Sequence, residues 1–179
     1  MAEIRDSEKI EGVQIVDLVG HSDQRGRFVE TFRKEWFPQR NFGKIQMNAS
    51  YSDKGVVRGL HYHHRQIDYW YLGSGKIRVG LCDLRPSSIT HMATETIDLD
   101  SGDPKGIYIP IGIAHGFLTM SDIVLIYLVD NYYDGTDENA VAWNDPEIGI
   151  DWGSGAPTIS ERDATSPKLK EIDPVNLPR

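Results

Sequence analysis

Short segments in which polar and apolar residues alternate, separated by residues typical of turns, run through most of the chain. Lys76–Leu84 is the clearest, because Ile77, Val79 and Leu81 fall on one side of an extended strand and give it a half-buried pattern. Similar patterns predict strands at Val13–Leu18, Gly26–Phe32, Ile45–Tyr51, Val56–His63, Tyr69–Leu72, Thr94–Leu99, Gly106–Pro110, Gly116–Met120 and Ile123–Asp130. Many short strands indicate an all-β protein, either an antiparallel barrel or a sandwich.

The segments between these strands are turns and short helices. His21–Gly26 has the Ser, Asp and Gly content of a turn. We expect one helical turn at Lys34–Arg40 and a closing helix around Pro167–Ile172. The chain has 179 residues, with no internal repeat and no linker that would divide it. We therefore expect one domain over residues 1–179.

Composition excludes several kinds of partner. A net charge of −8 argues against sequence-independent nucleic-acid binding, which needs a clustered basic surface. No apolar run approaches the ~20 residues that span a bilayer, and the charged start MAEIRDSEKIEG is unlike a signal peptide. The one cysteine, Cys82, rules out an internal disulfide. We expect a cytoplasmic protein that binds neither nucleic acid nor a membrane.

Gly55–Gly75, with the sequence GVVRGLHYHHRQIDYWYLGSG, is the segment that points most strongly to chemistry. It contains His61, His63 and His64 among β-branched and aromatic residues, with Arg58 before them and Asp68 after them. Burying imidazoles costs free energy unless each finds hydrogen-bond partners, so such a cluster suggests a functional site. A second segment, Ile109–Phe117, supplies His115 from another strand.

Strand parity bears on how this site is assembled. A regular strand would point Arg58 away from the face that carries His61 and His63. Gly59 lies between them, and an isolated glycine in a strand is typical of a bulge. A bulge there would bring Arg58 and His61 to one pocket; without it, Arg58 faces solvent or a neighbouring subunit.

Five sequence blocks, in order along the chain, resemble one known family. They are Arg25–Phe32 (RGRFVETF), Val57–Tyr62 (VRGLHY), Ile109–Phe117 (IPIGIAHGF), Asn131–Tyr133 (NYY) and Trp143–Trp152 (WNDPEIGIDW). The chain is similar in these blocks to the dTDP-4-dehydrorhamnose 3,5-epimerases of deoxysugar biosynthesis. The resemblance implies a cupin-type jelly-roll barrel with short peripheral helices. It also implies a nucleotide-sugar substrate, a homodimer that exchanges strands between subunits, and no cofactor.

The resemblance also implies catalytic roles. His61 matches the family's general base, Tyr127 its proton donor, and Asp163 the acid that orients and charges the base. Arg58 and His115 match residues around the sugar ring. Taken without the resemblance, His61 could be a structural histidine, Tyr127 a core tyrosine, and Asp163 a helix-capping or solvated acid.

Other matched positions concern the nucleotide. Tyr133 matches the aromatic residue that stacks on the thymine base. The positions that hold the nucleotide or its diphosphate are matched by Arg25, Glu30, Gln46, Asn48 and Glu138.

These residue types suit the reaction. A proton on the carbon beside a ketone can be removed if the resulting enolate is stabilised, and inversion needs a base on one face of the sugar and an acid on the other. A histidine strengthened by a carboxylate suits the base, and a tyrosine can return the proton from an apolar pocket. Arg58 is the candidate for the charge that develops on the ketone oxygen.

One departure from the family's pattern affects the reaction. The family usually has a lysine a few residues after the catalytic histidine, whereas Ile67 or Asp68 occupies that position here. Loss of this cation should lower the rate, by ~10²-fold on the scale of single oxyanion-stabilising groups. Arg65 or His63 could compensate. Otherwise the protein inverts one centre only, uses another keto-sugar nucleotide, or has a different reaction.

Two alternative functions remain open at this point. Gly55-x5-His61-x-His63-x4-Asp68-x6-Gly75 has the spacing of a metal-binding cupin motif, and Pro110-x-Gly112-x2-His115 matches the core of the second motif. His61, His63, Asp68 and His115 would then be ligands of Fe(II), Mn(II) or Zn(II) in a metal-dependent enzyme. Thr119 stands where the second motif has Asn, which argues against this reading. The other alternative is a non-catalytic protein that only binds a sugar nucleotide.

Overall fold

In the computed structural model, which describes residues 2–153 and 155–178, short β-strands dominate. The strands are Glu3–Asp6 (β1), Gln14–Asp17 (β2), Gly20–Asp23 (β3), Gly26–Val29 (β4), Gln46–Ser52 (β5), Val56–Tyr62 (β6), Asp68–Ser74 (β7), Lys76–Asp83 (β8), Thr94–Asp100 (β9), Lys105–Ile109 (β10), Ile113–Thr119 (β11), Ile123–Val129 (β12), Asn139–Ala140 (β13) and Thr158–Ile159 (β14). Helical segments are short, namely Glu161–Ala164 (α1) and 3-10 turns at Lys34–Trp36, Leu169–Glu171 and Pro174–Asn176. None of the described helices is long and apolar enough to cross a membrane.

The strands form two large sheets and one separate hairpin. The first sheet has the order β1-β2-β10-β7-β12-β5, and the second has the order β13-β6-β11-β8-β9. Neighbouring strands run antiparallel, except that β14 pairs in parallel with β6. The strands β3 and β4 pair only with each other. The all-β jelly-roll expectation is confirmed, with the two sheets left open at their edges rather than closed into one barrel.

The main core lies between the two sheets. Trp70 on β7 and Leu125 on β12 come from the first sheet, and Val79 on β8 and Phe117 on β11 come from the second. Trp70 packs edge-on against Phe117, with ring centroids 5.6 Å apart. Because side chains alternate across a strand, every second residue of these strands is buried here, and this burial holds the two sheets face to face.

A bulge in β6 confirms the strand-parity argument. His61 is paired with His115, but Arg58 is paired with Phe117, so β6 contains one more residue than β11 over this stretch. Gly59 lies inside the bulge with φ of +122°. A Cβ atom there would lie 2.7 Å from the Cα of Gly116 and 2.8 Å from the carbonyl oxygen of His115, so only glycine fits.

The structure differs from the prediction in several elements, among them the strands β1, β13 and β14, which were not predicted. His21–Gly26, predicted as a turn, belongs mostly to the hairpin of β3 and β4. The closing helix is only the 3-10 turn Leu169–Glu171. The helix α1, which the sequence analysis did not predict, begins after Ser160, whose side chain accepts a hydrogen bond from the amide of Asp163.

Candidate active site

A cavity of about 240 Å³ opens between the two sheets, where β6 and β11 face β7 and β12. Its wall combines basic, acidic and aromatic residues from five strands with two residues from the loop before β7 and one each from the loop before β13 and from α1. The lining residues are Ser50, Arg58, His61, His63, Gln66, Asp68, Trp70, His115, Gly116, Phe117, Leu125, Tyr127, Glu138 and Arg162. The Gly55–Gly75 and Ile109–Phe117 segments therefore meet in one place.

Asp163 holds the imidazole ring of His61 in place. The Nε2 atom of His61 lies 2.9 Å from Oδ1 of Asp163, and the other carboxylate oxygen accepts the backbone N–H of Gly59 at 3.1 Å. Burial would raise the pKa of Asp163, but the hydrogen bonds from His61 and Gly59 outweigh it and hold the pKa below its ordinary value. The carboxylate therefore stays charged and fixes the ring, which leaves Nδ1 of His61 as the nitrogen available for proton transfer.

Tyr127 lines the same cavity from the opposite sheet. It lies on β12, where it is paired with Asn48 on β5 and Trp70 on β7. Burial, together with the carboxylates of Asp68 and Glu138, raises the pKa of Tyr127 above its ordinary value, although Arg58 opposes this. The phenol is therefore protonated at neutral pH and can act as a proton donor.

Arg58 brings a positive charge to the cavity. Its Nε donates to Ser52 Oγ at 3.0 Å, which fixes the start of the guanidinium group. A second cation, Arg162, comes from α1 and lies 3.4 Å from Glu138. The guanidinium groups of Arg58 and Arg162 can stabilise negative charge that develops on a bound molecule.

His63, Asp68 and His115 form a buried cluster on the floor of the cavity. Nε2 of His63 lies 3.7 Å from one oxygen of Asp68, and Nε2 of His115 lies 3.9 Å from the other. Burial lowers the pKa of His115 to about 4, although Asp68 opposes the shift, so His115 is neutral at neutral pH.

Ile67 and Asp68, either of which could occupy the position of the family's lysine, lie in different surroundings. Ile67 is buried in a hydrophobic cluster outside the cavity, whereas Asp68 lines it. Asp68 accepts a hydrogen bond from Trp70 Nε1 at 3.0 Å. An acid therefore stands in this part of the wall, in the segment where the resemblance implies a lysine.

Three of the predicted nucleotide-binding residues form a connected group beside the cavity. Gln46 and Asn48 lie on β5, and their side-chain amides are 3.0 Å apart. The backbone N–H of Tyr133 donates to Gln46 Oε1 at 3.0 Å. Tyr133 is 71% exposed, so its ring is free to stack on a ligand.

Arg25 and Glu30 do not reach the cavity of their own chain. Arg25 lies at the tip of the hairpin of β3 and β4 and binds Asp23 at 2.6 Å. Glu30 follows β4 and binds Arg33 at 2.6 Å. Glu138, by contrast, lines the cavity.

Several residues that line the cavity were not predicted from the sequence. Trp70 could have been identified, because it shares a strand face with Asp68. Gln66 and Arg162 carried no such pattern, since one precedes a strand and the other belongs to a helix that was not predicted.

A second, larger cavity lies elsewhere. It has a volume of about 600 Å³ and lies beside Trp143 and Trp152. Among its described lining residues, the charged ones are Lys54, Asp145 and Asp151, and no histidine is present. Among the residues that the structure describes, its wall therefore does not combine a histidine with a tyrosine, as the wall of the smaller cavity does.

Comparisons with known proteins indicate one family. The sequence profile described as dTDP-4-dehydrorhamnose 3,5-epimerase matches residues 7–171. The chain is 34% identical over 149 residues to the spore coat polysaccharide biosynthesis protein SpsL of Bacillus subtilis, which covers 81% of this chain and 97% of that protein.

Solved structures agree as well. An epimerase from Mycobacterium tuberculosis superimposes with a TM-score of 0.92 and 30% identity, over 99% of this chain and 94% of that one. ChmJ, a 3'-monoepimerase from Streptomyces bikiniensis solved with dTDP-quinovose, gives a TM-score of 0.85 at 33% identity, over 90% and 86% of the two chains. The chain belongs to the dTDP-4-dehydrorhamnose 3,5-epimerase family.

Proposed function

We propose that this protein is an isomerase that epimerises a nucleotide-activated 4-keto-6-deoxy sugar of the dTDP-4-dehydro-6-deoxyglucose type, at C3, C5 or both. The family carries an epimerase activity in its name, and ChmJ was solved with a dTDP-linked sugar. One observation carries the proposal. His61 and Tyr127 line a single cavity from opposite sheets, and inversion needs a base and an acid on opposite faces of the sugar.

In this mechanism His61 is the general base. Its Nδ1 takes the proton from a carbon next to the C4 ketone, and Asp163 stabilises the imidazolium that forms. The electron pair of the broken C–H bond moves into the enolate, whose oxygen becomes negative. Tyr127 then gives a proton to the other face of the same carbon, which inverts it.

Binding is assigned to the remaining cavity residues. Arg58 and His115 contact the sugar ring, and Arg58 stabilises the enolate oxygen. Gln46, Asn48 and Glu138 hold the nucleotide or its diphosphate, and Tyr133 stacks on the base. The exposed ring of Tyr133 and its backbone contact to Gln46 support this assignment.

We also propose a homodimer in which the hairpin of β3 and β4 crosses to the partner. The hairpin pairs with no other described strand of its own chain, and Phe28 on it is 69% exposed. Its transfer would bring Arg25 and Glu30 to the partner's cavity, where the positive charge of Arg25 would meet the diphosphate.

We propose the cytoplasm as the location, in keeping with the single cysteine.

Proton NMR in D2O tests the proposed reaction. With dTDP-4-keto-6-deoxyglucose, we expect deuterium to enter at C3, C5 or both, and the signals identify which centres are inverted. In the variant His61→Ala we expect near-complete loss of exchange from a folded protein, while His91→Ala, at an exposed histidine, retains it. Binding of the nucleotide sugar without any exchange would instead support the non-catalytic alternative, and exchange at the wild-type rate in His61→Ala would refute the assigned base.

A further inference from the structure

Three buried polar side chains of the cavity take no part in the proton transfers assigned to His61 and Tyr127. His63 directly follows β6, Asp68 begins β7 and His115 lies on β11, and each is about 5% exposed or less. Their potential ligand atoms all lie within 4.8 Å of one another. Buried groups of this kind need a partner that balances their charge or fills their hydrogen-bonding capacity.

The two imidazoles are held in a defined orientation. Nδ1 of His63 lies 2.7 Å from the carbonyl oxygen of Asp137, and Nδ1 of His115 lies 2.8 Å from the carbonyl oxygen of Ile113. Because a carbonyl oxygen only accepts hydrogen bonds, Nδ1 carries the proton in both rings. Nε2 is the nitrogen of each ring that lies toward Asp68, and it offers a lone pair when the ring carries no second proton.

Both lone pairs point at the same carboxylate. The Nε2 atoms lie 3.7 and 3.9 Å from the two oxygens of Asp68, which is too long for a hydrogen bond and close for three electron-rich groups. The Asp68 oxygens already accept from Trp70 Nε1 at 3.0 Å and Gln66 Nε2 at 3.5 Å, and these contacts orient the carboxylate toward the rings. A cation between the three groups would remove the repulsion.

We propose that His63, Asp68 and His115 form a binding site for one divalent transition-metal ion, with Zn(II), Mn(II) and Fe(II) as the candidates. Two imidazoles and one carboxylate are a common ligand set for these ions, and hydrogen bonds from Nδ1 to a carbonyl are typical of histidine ligands. Metal–ligand bonds of about 2.0–2.2 Å place ligand atoms about 3.0–3.5 Å apart. The ligand atoms lie within 4.8 Å of one another, so side-chain movements of about 1–2 Å are needed to close the widest separation.

His61 lies outside this ligand set. Its Nε2 is bound to Asp163 at 2.9 Å and its role is proton transfer. The proposed site therefore has three protein ligands, and all three line the cavity.

If the proposed function holds, the ion has a role in it. Asp68 stands in the segment where the family has a lysine, so the cavity lacks that cation beside the enolate. A divalent ion held by Asp68 would supply positive charge at the ketone oxygen as a Lewis acid. The expectation that the reaction needs no cofactor would then not apply to this chain.

Metal binding is measured directly, without reference to activity. Protein freed of metal with a chelator is dialysed against Zn2+, and Co2+ is added to a second sample because its visible absorption reports the ligand set. We expect one ion per chain in the wild type. Asp68→Asn and His115→Gln should each weaken binding by at least about tenfold. No stoichiometric binding to the folded wild type overturns the proposal, whether or not the variants fold.

Two further variants serve as controls. His91→Gln removes an exposed histidine, and His61→Asn removes the proposed base, so both should keep wild-type affinity for Zn2+. Equal weakening in His91→Gln and Asp68→Asn would overturn the site, and loss of binding in His61→Asn would overturn the three-ligand set.

Deuterium exchange then tests the role of the ion separately. Exchange that is lost with the chelator and restored by metal supports the Lewis-acid role. Exchange that persists at the full rate in metal-free protein overturns that role, while the binding measurement still decides the site and the proposed epimerase function stands.

Discussion

Oδ1 of Asp163 lies 2.9 Å from Nε2 of His61, although 102 positions separate the two residues. The bulge in β6 takes part in this contact, because the N–H of Gly59 donates to the other oxygen of Asp163 at 3.1 Å. A carboxylate fixed in this way holds the imidazole in one orientation and stabilises its protonated form. The proposed base is therefore a ring and a remote acid that act together.

Asp163→Asn tests this pairing. The amide has the same size but no charge, so we expect the rate of deuterium incorporation to fall by about 10²- to 10⁴-fold in a folded protein. Glu147→Gln, at an exposed acid, should leave this rate unchanged. A wild-type rate in Asp163→Asn would remove Asp163 from the mechanism.

Tyr127→Phe separates the two proton transfers. Without the hydroxyl group, His61 still removes and returns a proton on one face, so exchange at a carbon that His61 deprotonates should continue. Inversion should fall by about 10²-fold or more, since no acid serves the other face. Proton NMR measures deuterium exchange and inversion separately. Tyr71→Phe is the matched control, because Tyr71 lies on β7 but packs against a hydrophobic cluster outside the cavity. Full inversion in Tyr127→Phe would show that another group is the acid.

Gly59→Ala tests whether the bulge builds the site. The added Cβ would lie 2.7 Å from the Cα of Gly116, which is backbone and cannot move aside. We expect a loss of about 3 kcal/mol or more in the free energy of unfolding, with loss of exchange. Gly155→Ala is the control, because Gly155 has a similar φ of +135° and no atom within 4 Å of the added Cβ. Gly155→Ala should lower the free energy of unfolding, measured by urea denaturation, by only about 1 kcal/mol. Equal losses in the two variants would mean that the close approach at Gly59 is unimportant.

The strands and the bulge followed from the sequence because their causes are local. Alternation along Lys76–Leu84 marks one buried face, and the observed β8 spans Lys76–Asp83. The conflict between the directions of Arg58 and His61 required a bulge, and Gly59 was the residue able to form it. Both arguments depend only on the period of a strand.

Other features depended on contacts between distant segments. The pairing of His61 with Asp163 joins β6 to a helix of four residues that lies in a polar tail, and neither segment indicates the other. The strand β3, Gly20–Asp23, is exposed along its length and has no apolar alternation, so its sequence resembles a turn. In both cases the information lies in the pairing of segments and not in the composition of either one.

Asp83 provides a test of stability against pH. It is fully buried and, although burial raises its pKa, hydrogen bonds from Arg85, Ser88 and Thr90 lower the pKa from 3.8 to about 2. A lowered pKa means that the carboxylate contributes its full stability above pH 3.8 and loses it as the pH falls through about 2. The difference in the free energy of unfolding between wild type and Asp83→Asn should therefore shrink by up to about 2 kcal/mol from neutral pH to about pH 2. Asp53→Asn, at an exposed acid, is the control, and a difference for Asp83→Asn that does not change with pH would contradict the prediction.

The exchange of hairpins between subunits predicts complementation. Arg25→Ala should bind the nucleotide sugar weakly and His61→Ala should be inactive, because each dimer lacks one group at both sites. A mixed dimer has one site with His61 from one chain and Arg25 from the other. Random mixing makes half of the dimers mixed, so about a quarter of the wild-type sites are restored.

The control for this experiment pairs His61→Ala with Tyr127→Phe. Both residues line the cavity of their own chain, so mixing these two variants restores no complete site. The activity is measured after the separately purified variants are unfolded together and refolded. If the Arg25→Ala and His61→Ala mixture shows only the mean activity of its two parents, then Arg25 does not serve the partner's site. The exposed hairpin would then need another explanation.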